Sequence, residues 1–201
     1  MSFLVVGMGM IDMTAACVTT SRLLGQVNDD QLGAATPCTD MNLGALIAHI
    51  GGLALAFEAA ARKDFGPLTD SPPEIIDAPE PDWRQTYPER LAELAAAWRE
   101  PGAWQGMSRA GGVDFPADVG GMIALTEVVV HGWDLAVSAG LDYHAPGEET
   151  LAAVHDHVAT FAAEPIEGLF GPAVPVPPDA PLLDRVVGLT GRNPGRRAGS
   201  S

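Results

Sequence analysis

A glutamate and a histidine lie four residues apart in one of the most apolar stretches of the sequence. Between Met122 and Val137 the only ionisable residues are Glu127, His131 and Asp134. Residues four apart on a helix share a face, with their Cβ atoms about 6 Å apart, so Glu127 and His131 would point the same way. A buried carboxylate is costly unless something pairs with it. Its partner here could be the histidine, a wider hydrogen-bond network or a metal ion.

A metal site would need a further ligand, because catalytic sites usually take three protein ligands and keep one position open. The best candidate is His49, which lies in a second apolar stretch, "LGALIAHIGG", beside the small residues Gly51 and Gly52. Two histidines and one carboxylate suit Zn²⁺, Ni²⁺ or Fe²⁺. The alternative is a buried, hydrogen-bonded Glu–His pair, with His49 a separate core histidine. Spacing alone favours this alternative, because Glu-x-x-x-His is a common accident.

The elements that would position these residues are helices, because helical periodicity dominates the chain and strand signals are weak. The pattern predicts helices over residues 11–27, 41–64, 87–100, 117–138 and 147–164, with a short one near 181–191. Four substantial helices with one long crossover indicate an all-α bundle, whose sites are built from side chains on facing helices. The fourth helix, which carries Glu127 and His131, should be the most buried.

Several boundaries follow from the pattern. Thr39 or Asp40 is the predicted N-cap of the second helix, and Pro88 is placed in the first turn of the third. Five prolines in residues 65–82 predict a loop or an extended crossover. The expected organisation is an N-terminal extension over residues 1–10, the bundle over 11–191 and a disordered tail over 192–201.

Composition narrows the partners and the compartment. The chain of 201 residues has 11 basic and 26 acidic residues and a net charge of −15, which argues against nucleic acids and anionic membranes as partners. Two cysteines do not make a disulfide framework, and Asp12 interrupts the apolar start that a signal peptide would need. We expect a cytoplasmic protein, monomeric or homodimeric, that acts on a small molecule.

Two stretches resemble a known family. Residues 36–52, "TPCTDMNLGALIAHIGG", and 125–140, "LTEVVVHGWDLAVSAG", resemble the signatures of the mycothiol-dependent maleylpyruvate isomerase N-terminal family. That family lies within the DinB/YfiT-like metal-binding superfamily. The resemblance covers roughly residues 10–194, and the ending "DAPLLDRVVGLTGRNP" resembles an uncharacterised actinobacterial subgroup. It implies a DinB-like helical bundle with metal ligands at His49, Glu127 and His131.

The resemblance also implies a chemistry. In the family a low-molecular-weight thiol, mycothiol in actinobacteria, is brought to the metal, and a divalent ion stabilises the nucleophilic thiolate. This chain would then be a metal-dependent enzyme of thiol transfer or isomerisation on a small electrophilic substrate. Zinc is the expected ion, with nickel or iron as alternatives. The rival hypothesis is a metal-binding bundle without catalysis, acting as a sensor or holding a structural metal site.

Three residues near the motifs have open roles. Trp133 is expected to pack, and Asp134 to lie behind the ligands or to orient a loop. Cys38 could be a reactive thiol near the mouth of the site, although a small turn residue is the commoner role.

Two features depart from the family pattern. Met41 stands where many relatives have tryptophan, and the chain as given ends at residue 201 without the second domain of maleylpyruvate isomerase. The isomerisation of maleylpyruvate in particular is therefore not an expectation.

Overall fold

Six α-helices and one β-hairpin form the part of the chain that the computed structural model describes, residues 10–74, 76–162 and 170–195. The predicted helical architecture is confirmed, with the hairpin as a local addition. The helices are α1 (Thr14–Leu24), α2 (Leu43–Arg62), α3 (Trp83–Trp98), α4 (Ala117–Ala139), α5 (Glu148–Ala159) and α6 (Leu182–Leu189). The strands are β1 (Met107–Ala110) and β2 (Val113–Pro116), and two short 3-10 helices cover Asp29–Gln31 and Pro101–Trp104.

The first four helices pack into the bundle that holds the candidate site. Helix α2 packs against α3 and α4, and α1 packs against the same two helices. Helices α5 and α6 pack on each other, and α5 also contacts α4. Helices α2 and α4 therefore face each other inside the core, which brings the two sequence motifs together.

Helices α2 and α4 are apolar enough to be mistaken for membrane spans. By length and composition both could cross a membrane, but 72% of the apolar window of α2 and 83% of that of α4 are buried inside the fold. A helix that is apolar nearly all round is normally a buried one. The two helices are the core helices of the bundle, and α4 is the more buried of the two, as predicted.

The predicted cap of α2 is wrong. The N-cap is Asn42, whose side-chain oxygen accepts a 2.8 Å hydrogen bond from the Ala45 N–H, whereas Thr39 and Asp40 lie exposed in the preceding turn. The cap is displaced because Thr36 organises the turn. Its hydroxyl lies 2.7 Å from the carbonyl oxygens of both Cys38 and Met41, so the chain enters the helix only after residue 41.

The third helix begins earlier than predicted. Trp83 and Tyr87, one helical turn apart, are 3% and 1% exposed, so the buried face of α3 already starts at its first residue. Pro88 consequently lies inside the helix rather than in its first turn. The proline-rich segment before it forms turns and irregular chain, without helix or strand in its described residues, 65–74 and 76–82, as predicted.

The stretch between α3 and α4, for which the sequence pattern predicts no helix or strand, contains the hairpin. Strands β1 and β2 pair antiparallel from Met107↔Pro116 to Ala110↔Val113. The two connecting residues, Gly111 and Gly112, have φ angles of 59° and 79°, as a tight two-residue hairpin turn requires. The strands are only four residues long, and Ser108 is their one buried residue, so they carry almost no alternating apolar pattern.

Adjacent glycines in α2 offer a matched test of this packing. A Cβ at Gly51 would lie 2.5 Å from the Tyr87 ring, whereas one at Gly52 would meet Pro73 at an ordinary 3.8 Å. We expect Gly51→Ala to destabilise the fold by about 1–3 kcal/mol through overpacking. Gly52→Ala should be neutral, or stabilising by up to about 1 kcal/mol through helix propensity. Urea unfolding measures both, and equal shifts of the two midpoints would contradict the α2–α3 packing.

Candidate metal centre

His49 on α2 faces Glu127 and His131 on α4 across the core of the bundle. The Nε2 atom of His131 lies 3.0 Å from Oε2 of Glu127, and Nε2 of His49 lies 4.0 Å from the same oxygen. The two imidazole rings meet edge-on, with centroids 5.0 Å apart and planes at 89°. One ligand atom from each residue can be chosen so that all three lie within 4.8 Å of one another. The i, i+4 spacing on α4 and the α2–α4 contact together produce this convergence.

The three side chains fit a metal ion in distance and in donor type. Two ligand atoms that share an ion through bonds of about 2.1 Å lie at most about 4.2 Å apart. Only ligands on opposite sides of an ion reach that limit; in a tetrahedral shell ligand atoms lie about 3.4 Å apart, so the widest pair, within 4.8 Å, would have to close by up to about 1.4 Å when an ion binds. Two imidazole nitrogens and a carboxylate oxygen are a donor set that Zn²⁺ and neighbouring transition metals accept.

His49 is the most accessible of the three. Its side chain is 17% exposed, compared with 7% for Glu127 and 5% for His131. Burial, together with the nearby charge of His131, lowers the pKa of His49 to about 4, so its ring is neutral at physiological pH, as a metal ligand must be. Its buried Nδ1 atom has no hydrogen-bond partner within the described part of the chain. A buried nitrogen without a partner does not fit the alternative of a satisfied core histidine.

Asp134 fixes the orientation of His131 from the opposite side. Its Oδ2 lies 3.0 Å from Nδ1 of His131 and 2.8 Å from Nη2 of Arg192, and the side chain is fully buried. A carboxylate that is bound to a guanidinium can only accept, so Nδ1 of His131 is the donor. The other ring nitrogen, Nε2, is thereby directed at Glu127, which is the arrangement that metal-binding histidines usually show.

The buried charges at this centre are balanced only when one more positive charge is present. Glu127 and Asp134 contribute two negative charges and Arg192 one positive charge, all with residues no more than 6% exposed. Without an ion, a proton on His131 supplies the missing charge. Burial opposes it, but hydrogen bonds to Asp134 and Glu127 outweigh burial and raise the pKa of His131 to about 9. A divalent ion between the three ligands would bring two positive charges, so with His131 neutral the centre would carry a net charge of +1, which a bound thiolate could balance.

Arg192 is the residue of this centre that the sequence analysis missed. The expected tail starts at residue 192, but the Arg192 side chain is only 6% exposed and forms an ion pair with Asp134. Its position gave no signal, because it lies among the glycine, proline and arginine residues of "GRNPGRR", a composition typical of a disordered end. Residue 10 of the predicted extension and residues 193–195 of the predicted tail are described, without helix or strand, and residues 1–9 and 196–201 lie outside the described residues.

The remaining candidate residues surround the ligands. Trp133 is buried in α4, consistent with a packing role. Cys38 is partly buried in the turn that Thr36 organises. Burial raises the pKa of its thiol; the charge of Arg192 opposes this, and those of Asp134 and Glu127 add to it. Cys38 is therefore a protonated thiol at neutral pH and a poor nucleophile.

Comparison with known proteins identifies the family of the chain. The family model of the mycothiol maleylpyruvate isomerase N-terminal domain matches residues 13–136. The chain belongs to this family. The match includes all three candidate ligands and Asp134, and it ends before α5, α6 and Arg192.

Individual relatives cover most of the chain. Two uncharacterised proteins from different strains of Mycobacterium tuberculosis are each 28% identical over 177 residues, which is 86% of this chain and 91% of theirs. The crystal structure of the mycothiol-dependent maleylpyruvate isomerase superposes with a TM-score of 0.54 at 22% identity. That superposition covers 75% of this chain and 68% of the isomerase, and a histidine-to-alanine variant of the isomerase gives the same values. At this identity the structures share the fold.

Removal of one partner of the buried ion pair behind His131 should lower the stability of the protein measurably. Asp134→Ala would leave the Arg192 guanidinium buried without a counter-ion, so we expect a loss of about 3–5 kcal/mol in the free energy of unfolding of the metal-free protein. The matched control is Glu93→Ala, which removes the 61% exposed partner of Arg62 and should cost less than about 1 kcal/mol. Chemical denaturation compares the two, and a loss for Asp134→Ala as small as that of the control would place Arg192 outside the core.

Proposed function

We propose that the protein is a metal-dependent enzyme that uses a low-molecular-weight thiol of the mycothiol type in transfer or isomerisation chemistry on a small electrophilic substrate. The observation that carries this proposal is the convergence of His49, Glu127 and His131 within 4.8 Å in a bundle of the mycothiol maleylpyruvate isomerase N-terminal family. Zinc suits the three donors best, and nickel or iron would also be accepted.

The residues have separate roles in this proposal. His49, Glu127 and His131 hold the ion, and Asp134 fixes the ring of His131 through Nδ1. When bound, a divalent ion supplies stabilisation of a thiolate, the nucleophilic form of a thiol. Three protein ligands leave a coordination position for that thiol. The partly exposed edge of His49 marks the side from which a small molecule would approach.

The thiol must come from a co-substrate. Cys38 is the cysteine near the centre, and its raised pKa keeps it protonated at neutral pH. Cys17 is buried in α1, and burial raises the pKa of its thiol to about 12. Neither cysteine offers a thiolate, so an external small thiol is the nucleophile that this chemistry requires.

The setting that we propose is the cytoplasm, with the protein as a monomer or homodimer. The net charge of −15 disfavours nucleic acids and anionic membranes, and two unpaired cysteines suit a reducing compartment. Both partners are then small molecules, the thiol and the electrophile.

A second candidate function is a metal site without catalysis, as in a sensor or a structural centre. It is favoured by the low exposure of the ligands, at 17%, 7% and 5% of the side chains. Three cavities of about 300, 310 and 180 Å³ also lie elsewhere, between α5 and α6, at the ends of α1 and α4, and between α1 and α3. A site that no thiol can reach would bind metal but remain inert.

The charge of Glu127 separates these possibilities from a plain Glu–His pair. Glu127→Gln keeps the shape of the side chain and removes its charge, so we expect the bound metal to fall from one ion per chain to below about a tenth, because a neutral amide binds a divalent ion far more weakly than a carboxylate does. The melting temperature of the metal-free protein should change little. Elemental analysis after dialysis at limiting free metal measures the stoichiometry.

The control is Glu58→Gln, which makes the same change on α2 at a glutamate bonded to Arg62 and should keep one ion. Addition of mycothiol to the cobalt-substituted protein then tests catalysis against the inert site, because sulfur coordination changes the visible spectrum. Full metal content in Glu127→Gln would remove Glu127 from the ligand set. An unchanged spectrum with thiol would favour the non-catalytic function.

A further inference from the structure

The C-terminal segment reaches into the metal centre through a single side chain. After α6 the chain reverses at Gly191, where φ is 83° and a Cβ would lie 2.9 Å from the backbone of Gly171. The next residue, Arg192, is anchored by its own N–H to the Val187 carbonyl at 2.9 Å and by Nη1 to the Thr190 carbonyl at 2.7 Å. The guanidinium is thus held in place by the end of its own helix before it meets the bundle.

The Arg192 guanidinium donates two hydrogen bonds to the carboxylate of Asp134. Nη2 lies 2.8 Å from Oδ2 and Nε lies 3.3 Å from Oδ1, which is the two-pronged geometry that fixes the plane of a carboxylate. The same Oδ2 accepts from Nδ1 of His131 at 3.0 Å. Because the carboxylate plane is fixed, the imidazole ring that bonds to it is fixed as well, and Nε2 is held toward Glu127. Outer partners of this kind normally set the orientation of a metal-binding histidine.

Neither packing nor charge balance alone accounts for the geometry of Arg192. Its guanidinium lies 5.4 Å from the ring centre of Phe170, and such a contact would help the segment to pack. Packing does not require the two bonds to a carboxylate that is itself bonded to His131. A lysine would balance the charge of Asp134 equally well. It could not fix the carboxylate plane, because an ammonium group lacks the two coplanar N–H donors of a guanidinium.

We propose that Arg192 is a positioning residue of the metal centre, acting through Asp134 on His131, so that the C-terminal segment beyond the family match is a working part of the site. This inference rests on the proposed function in one respect, that an ion binds at His49, Glu127 and His131. By linkage, metal binding and docking of the segment stabilise each other. Binding of the ion should therefore protect the backbone amides of α6 from hydrogen exchange, and loss of Arg192 should lower the affinity of the site for the ion.

The test compares three variants of the full chain. Arg192→Gln removes both the charge and the planar pair of N–H donors, and Arg192→Lys keeps the charge alone. Arg185→Gln is the control on α6, the helix that precedes Arg192, where Arg185 bonds to His155 away from the centre. Zinc affinity is measured by competition with a chromophoric chelator, and coordination by the visible spectrum of the cobalt form. We expect about 10–100-fold weaker zinc binding for Arg192→Gln, as for other outer-shell changes, an intermediate loss for Arg192→Lys, and parent behaviour for Arg185→Gln.

A double variant tests the route of the effect. In Asp134→Asn the Arg192 guanidinium has lost its charged partner. If Arg192 acts only through Asp134, adding Arg192→Gln to this variant should weaken zinc binding no further. If the two substitutions instead lower zinc affinity additively, Arg192 does not act through Asp134. Parent affinity and an unchanged cobalt spectrum in Arg192→Gln would overturn the proposal itself. If Arg192→Gln does not fold, Arg192→Lys decides, since parent affinity there would mean that the planar pair of N–H donors has no role.

A metal-free readout keeps this proposal separate from the proposed function. If the parent protein binds no zinc at all, the proposed function fails, and the ring of His131 can still be observed by long-range ¹H–¹⁵N NMR. We expect a protected Nδ1–H signal in the parent and in Arg185→Gln, and its loss in Arg192→Gln. Retention of that signal in Arg192→Gln would show that Arg192 does not position His131.

Discussion

The interaction on which this structure depends is the burial of two carboxylates in one helix of the core. Glu127 and Asp134 are 5% and 0% exposed, and unpaired buried charges of this kind would cost several kcal/mol each. Neighbouring elements provide what compensates them. His131 comes from the same helix, and Arg192 from the segment after α6. The packing of the C-terminal segment against α4 is therefore tied to the electrostatics of the site.

That arrangement also explains why the centre suits an ion. Arg192 balances Asp134, and the charge of Glu127 remains for a proton on His131 or for a cation. An apolar bundle around a single unbalanced charge gives a site of low dielectric, in which electrostatic interactions are stronger than in water. The chain's own thiols are protonated, as the raised pKa values of Cys17 and Cys38 indicate, so the activation of a thiol would depend on the ion alone.

Most of the site was accessible from the sequence because its parts are local. Glu127 and His131 are separated by one helical turn, and His49 stood out as a histidine beside two glycines in an apolar helix. Arg192 could not be found this way, since it is 58 residues from Asp134 and nothing local requires its burial. Of the two glycines beside His49, Gly51 makes room for the Tyr87 ring, a contact between helices that no local pattern indicates.

The errors in the fold have similar physical causes. Asn42 replaced Thr39 or Asp40 as the cap because the Thr36 turn delays the helix. Strand propensity could not reveal the hairpin, whose short strands are defined by the turn at Gly111 and Gly112. The core helices were predictable in kind and nearly in extent, because the apolar face of α2 and the almost wholly apolar surface of α4 repeat over many turns.

X-ray absorption at the metal edge of the purified protein tests the central claim most directly, because it reports the ligands of the ion. The account predicts nitrogen and oxygen neighbours at about 2.0–2.2 Å, with the multiple-scattering pattern of two imidazoles and no sulfur, and then one sulfur at about 2.3 Å after mycothiol is added. Sulfur in the resting shell, or a shell that is unchanged by the thiol, would contradict it.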